Sequence, residues 1–169
     1  MFLPAASASC GDELEAKVTT TQCITGIMHT HVAKLCNGYY GGRVPSWGDI
    51  KVFLRLPVIQ AKNCLGSSKE AYHVTITTGG SYMIKYSNDN PPTDTSYNFE
   101  AGHKWYEKQL QKLIKKDQYT QQNIENLFME FIDKYGNIDG LEVYKMEGNT
   151  AKKLAYNSTT KTTSLEPCP

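Results

Sequence analysis

The chain has 169 residues, 40% hydrophobic and 21% charged, with a formal net charge of +1. That length carries one real core, and that composition excludes global disorder. Near-neutral charge argues against a dedicated nucleic-acid binder, and no apolar run approaches a membrane span.

We read residues 1–169 as one domain, with residues 1–18 as an N-terminal segment. Met1 to Ser9 is apolar and small, lacks a positive n-region and is too short for a whole signal peptide. Asp12 to Val18 reads as a short helix or helical turn. Five cysteines follow along the chain, at 10, 23, 36, 64 and 168. An odd count suits two disulfides and one free nucleophile. The sequon Asn157-Ser158-Thr159 also suits export, so a secreted or exported protein is expected. Connectivity stays open; a link from Cys10 or Cys36 to Cys168 would tie down the C-terminal tail.

From Thr21 to Cys36, apolar residues at 24, 27, 28, 32 and 35 share one face of a 3.6-residue period, which predicts a helix. Thr19-Thr20-Thr21 offers an N-cap hydroxyl. Cys23 would then sit in the first helical turn, where unpaired N–H groups and the helix dipole lower a thiol pKa. Asn37 to Gly42 stops that helix. His29 and His31, two apart on a helix, point to different faces and are given structural or surface roles.

Asp49 to Leu56 reads as a strand, followed by a loop through Cys64 and Gly66. Ala71 to Thr77 is a strand carrying His73, and Thr78-Gly79-Gly80-Ser81 turns the chain into a return strand, Tyr82 to Ser87. Asn88 to Ser96 is a loop with two prolines. His103 to Lys116 and Thr120 to Tyr135 are amphipathic helices whose apolar stripes belong to the core. Leu141 to Met146 and Lys152 to Tyr156 form a second hairpin. Residues 158–169 read as a flexible tail unless Cys168 anchors it.

A helix-borne thiol facing a strand-borne imidazole is the arrangement of Cys–His nucleophilic catalysis. Cys23 would attack an amide carbonyl, and His73 would hold it ionised and protonate the leaving amine. The Cys23 backbone N–H, with Gln22 added, would form the oxyanion hole. A third group should orient His73. By the strand period, Met83, Lys85, Ser87 and Asp89 share a face, and Asp89 is the best orienter by charge, with Asn88 or Ser87 as alternatives. Cys64 is the rival nucleophile, in a Gly/Ser loop with no helix dipole behind it. Neither a Cys-x-x-Cys pair nor a His-Glu-x-x-His motif exists, so neither a zinc site nor any cofactor is expected.

The order of parts resembles a known superfamily. The Cys23 segment is followed by Val44-Pro45-Ser46-Trp47-Gly48-Asp49-Ile50-Lys51-Val52-Phe53, then Ala71-Tyr72-His73-Val74-Thr75-Ile76, a glycine turn, and Ser81 to Ser87. Over about residues 19–90 this is similar to the NlpC/P60 and CHAP group of papain-like cysteine peptidases and amidases. The resemblance implies an α+β papain-like fold: a Cys-bearing helix on an antiparallel sheet, with two further helices in the C-terminal half. It also implies hydrolysis of an amide bond in a peptide substrate, peptidoglycan above all, and leaves room for an immunity or inhibitor protein as partner. Two other classes stand beside it. One is a secreted, disulfide-linked binding protein using a Tyr-rich surface. The other is a dead papain-like fold, since Tyr119 to Asn126 resembles the nucleophile stretch of permuted relatives of the lecithin:retinol acyltransferase type, with Ile124 in the nucleophile's place.

Overall fold

The computed structural model describes residues 23–32, 42–93 and 99–168. Gln22, Cys10, Cys36, the expected turn at Asp12 to Val18 and the end of the expected Cys23 helix lie outside them.

The fold is α+β. Six strands form one mixed sheet in sequence order: β1 Gly26–Thr30, β2 Tyr72–Thr77, β3 Gly80–Tyr86, β4 Leu141–Glu147, β5 Thr150–Asn157 and β6 Thr162–Pro167. Strand β1 runs parallel to β2, and every later pairing is antiparallel. Four helices are described: α1 Trp47–Arg55, α2 Pro57–Leu65, α3 Phe99–Lys115 and α4 Gln121–Phe131.

Three expectations before Gly66 are corrected. The segment expected as the Cys23 helix is, where described, extended chain leading into β1. Thr25, Ile27, Thr30 and Val32 are β-branched, and pairing with β2 outweighs the helical spacing of the apolar residues. The expected strand from Asp49 is helix α1. Ser46 caps it, with its hydroxyl taking the Asp49 N–H and the Asp49 carboxylate taking the Ser46 N–H. Ile50, Phe53 and Leu54 then fall on one buried face. The expected loop before Gly66 is helix α2, opened by Pro57 at its first turn and closed by Gly66 at φ +83°.

The hairpin of β2 and β3 forms as expected, and so does that of β4 and β5. The two later helices also form, though α4 passes into a π-type turn, Ile132–Gly136, before the next strand. The expected flexible tail is instead strand β6, paired with β5 from Asn157↔Thr162 to Lys152↔Pro167. Asn126 of α4 holds its start, accepting the Thr163 N–H at 2.8 Å. Cys168 is a free thiol rather than a tether.

One core joins helices and sheet. Phe53, Ile50 and Val58 from α1 and α2 meet Tyr82, Ile84 and Val143 from the sheet, and Ile124, Phe128 and Phe131 from α4. Each such large side chain contributes roughly 1.5–3 kcal/mol on burial. The strand period places Ile27, His29 and His31 on one side of β1. Ile27 pairs with His73 and His29 with Thr75, so these side chains share the face against which Phe53 of α1 packs.

Candidate metal centre

Three elements bring four ionisable side chains together on that face. His29 comes from β1, His31 from just beyond it, Asp49 from the first turn of α1, and His73 from β2. Asp49 Oδ1 lies 3.1 Å from His29 Nε2 and 3.8 Å from His73 Nε2. His29 Nδ1 lies 3.1 Å from His73 Nε2. One ligand-type atom from each of His29, Asp49 and His73 falls within 4.8 Å of the others.

The second carboxylate oxygen of Asp49 is engaged elsewhere. Oδ2 accepts the Ser46 N–H at 2.6 Å and faces His31 Nε2 at 3.3 Å. The other His31 nitrogen, Nδ1, lies 3.1 Å from the Val44 carbonyl oxygen. His31 thus bridges a main-chain carbonyl and the carboxylate, the pattern by which outer residues orient a metal ligand. Oδ1 is left facing His29 and His73.

The electrostatics keep Asp49 ionised and His73 neutral. Burial pushes the Asp49 pKa up, but hydrogen bonds from His29 and His31, and their charge, more than offset it. The carboxyl is held well below the usual carboxylate range. Burial pushes the His73 imidazole down to about 4; the Asp49 charge opposes that shift, and His29 and His31 add to it. His73 is only 2% exposed, and its Nδ1 has no hydrogen-bond partner among the described residues. A neutral, buried imidazole beside an ionised carboxylate is a hard-to-borderline donor set suited to a first-row divalent ion.

The sequence-based site is assembled only in part. His73 stands on its expected strand. Asp89 does not meet it: Asp89 is exposed in the turn after β3, bound by Ser67 Oγ at 2.9 Å and Lys69 Nζ at 3.2 Å. The register explains this. His73 pairs with Ile84, so Ile84 shares its face while Met83 and Lys85 take the other. The carboxylate beside His73 is Asp49, read from the sequence only as the start of a strand. Cys23 is exposed, has no helix dipole behind it, and is disulfide-bonded to Cys64 of α2. The two candidate nucleophiles are each other's partners, and a sulfur in a disulfide is not a thiolate.

His29 and His31 were assigned to different faces on the assumption of a helix. The missed signal is their spacing: on a strand, positions two apart face the same way. Comparison with known proteins returns no matching family model, no matching curated protein and no matching solved structure.

Proposed function

We propose that this chain is an exported protein that binds a divalent first-row metal ion, zinc best, through Asp49 Oδ1, His29 and His73, with His31 orienting the carboxylate. The observation that carries the reading is that one donor atom from each of the three residues lies within 4.8 Å of the others, with Asp49 Oδ1 3.1 Å from His29 Nε2 and 3.8 Å from His73 Nε2. Zinc bonds of about 2.0–2.1 Å put neighbouring ligands of a tetrahedral site about 3.3 Å apart. The donors also come from three separate elements, so the fold positions them before any ion arrives. The Cys23–Cys64 bond is compatible with an oxidising compartment.

The test is zinc content after equilibrium dialysis, read by elemental analysis, for the wild-type chain and for His29→Ala with Asp49→Asn. One zinc per chain, lost in the double variant, is the expected result. Equal zinc in both proteins, or none in either, sinks the reading.

A second reading is the papain-like amide hydrolase acting on peptidoglycan peptides through Cys23 and His73. It draws support from His73 standing on a strand of an antiparallel hairpin, as that arrangement requires. It needs the Cys23–Cys64 bond reduced first. Fragment release from purified sacculi by the reduced wild type, absent with Cys23→Ala, tests it; equal release by both proteins removes Cys23 from the chemistry.

A further inference from the structure

The Cys23–Cys64 bond closes a loop with a sequence separation of 41. That loop contains His29, His31 and Asp49; His73 alone of the four side chains lies outside it, on β2. One end of the bond lies just upstream of β1, and the other is on α2, which directly follows the Asp49 helix. The disulfide therefore fastens the histidine strand to the helix pair that presents the carboxylate.

Among the described residues, little else holds β1: it is five residues long, pairs with β2 alone, and has no fully buried residue. Beyond the parallel ladder, its attachments among the described residues include the His29 and His31 contacts to Asp49. Such a strand sits at the low-stability end of a fold, where opening is local. Closing a loop of this length removes much of the chain entropy that would otherwise favour its release.

Resting on the metal-binding reading, we infer that the Cys23–Cys64 disulfide is a redox latch on the metal centre: the oxidised chain holds the ion, and reduction by a dithiol releases it. Cys23 is exposed while Cys64 is half-buried, so an incoming thiolate reaches the Cys23 sulfur first. The reductant's thiolate bonds to Cys23 Sγ and Cys64 leaves as a thiolate. The second thiol of the reductant then closes its own disulfide and frees Cys23. Two electrons and two protons pass from the dithiol to the protein. β1 is thereby freed, two of the four side chains lose their fixed position, and the ion is exchanged. The chain would carry metal in an oxidising compartment and surrender it in a reducing one.

The experiment compares zinc affinity of the oxidised wild type with that of Cys23→Ser/Cys64→Ser, by competition against a chromophoric chelator. At least tenfold weaker binding by the double variant, with amide-exchange protection of β3 and β4 retained, is the expected outcome. Unchanged affinity overturns the latch while leaving the metal site standing. Absence of zinc binding by the oxidised wild type removes the site itself, a separate failure. Should the double variant not fold, the wild type is reduced with a water-soluble phosphine and zinc release is followed alongside exchange. Release with β3 and β4 still protected supports the latch. Retention overturns it, as does release with protection lost across the whole sheet, because the bond would then hold the fold and not the site.

Discussion

His73 Nε2 stands 3.1 Å from His29 Nδ1, although the two residues are 44 apart in the chain. The parallel pairing of β1 with β2 produces this contact. Ile27 lies opposite His73, and the two-residue strand period turns His29 to the same face. Asp49 completes the group because the Ser46 capping box holds its carboxylate at the start of α1. One carboxylate therefore caps a helix through Oδ2 and faces two imidazoles through Oδ1. The local signal for a helix start and the candidate site are the same residue.

Substitutions should separate ligands from their supports. His29→Ala removes a donor, and zinc binding is expected to fall below detection in equilibrium dialysis. His31→Ala leaves all three donors but frees Asp49 Oδ2 on one side. Loss of such an outer partner weakens metal binding by about 10–100-fold. Titration of both variants against a zinc-binding dye checks the ranking. A His31→Ala protein as defective as His29→Ala would make His31 a ligand in its own right.

Zinc should also stabilise the fold, because the donor set exists only when β1, β2 and α1 are assembled. At free zinc about 100 times the dissociation constant, mass action adds about 2.7 kcal/mol. For a chain of this size that raises the melting temperature by about 5–11 °C. Thermal unfolding by circular dichroism, with and without a chelator, measures it. A chelator-insensitive melting temperature would remove the coupling between metal and fold.

How much of this was legible follows from which forces decide each segment. The β2–β3 hairpin was readable because alternation, a glycine turn and β-branched residues agree. The later helices were readable from their apolar stripes. Segment 23–32 was misread because its apolar positions follow helical spacing, and only the long-range partner, β2, selects the strand. Helix α1 carries a local signal, Ser46 and Asp49 three apart, that marks a helix start rather than a strand. The site depends on both misread segments. The position of His73 on its strand was legible, whereas His29 was read onto a helix face, Asp49 was given no site role, and Asp89 lies in the turn after β3 instead of beside His73. Strand β6 was hidden because its exposed Thr-rich sequence has no hydrophobic alternation; β5 and Asn126 supply its reason to be extended.

Gly102 is a point of close helix approach that a methyl group should disturb. A Cβ there would stand 2.7 Å from Phe131 Cε2 and 2.9 Å from Tyr135 Cβ. Phe131 is fully buried and in ring contact with both Tyr106 and Tyr135, so it has little room to retreat. Overpacking of this kind costs about 1–3 kcal/mol, and the better helix propensity of alanine offsets about 1 kcal/mol of it. Gly102→Ala is therefore expected to lower stability by up to about 2 kcal/mol in urea unfolding. Stability at or above wild type would mean that α3 and α4 separate without cost.

Glu125 is the buried charge whose partner matters most for the core. Its Oε1 accepts from the Tyr82 hydroxyl at 2.5 Å, from Lys145 Nζ at 2.7 Å and from Gln121 Nε2 at 3.2 Å. Lys145 is the one cation in that set, and it reaches Glu125 from β4 across the sheet–helix boundary. Lys145→Met keeps most of the aliphatic stem but leaves the carboxylate with neutral donors alone. Breaking a buried pair from one side costs about 3–5 kcal/mol; because the Lys145 side chain is 20% exposed, the lower end, about 3 kcal/mol, is expected. Adding Glu125→Gln removes the stranded charge while preserving an acceptor for Tyr82. The double variant should therefore be more stable than Lys145→Met alone in urea unfolding. Zinc binding of the folded double variant should match wild type, because none of these residues touches the histidine cluster. If the second substitution worsens stability further, the single variant's loss comes from packing and not from an unpaired charge.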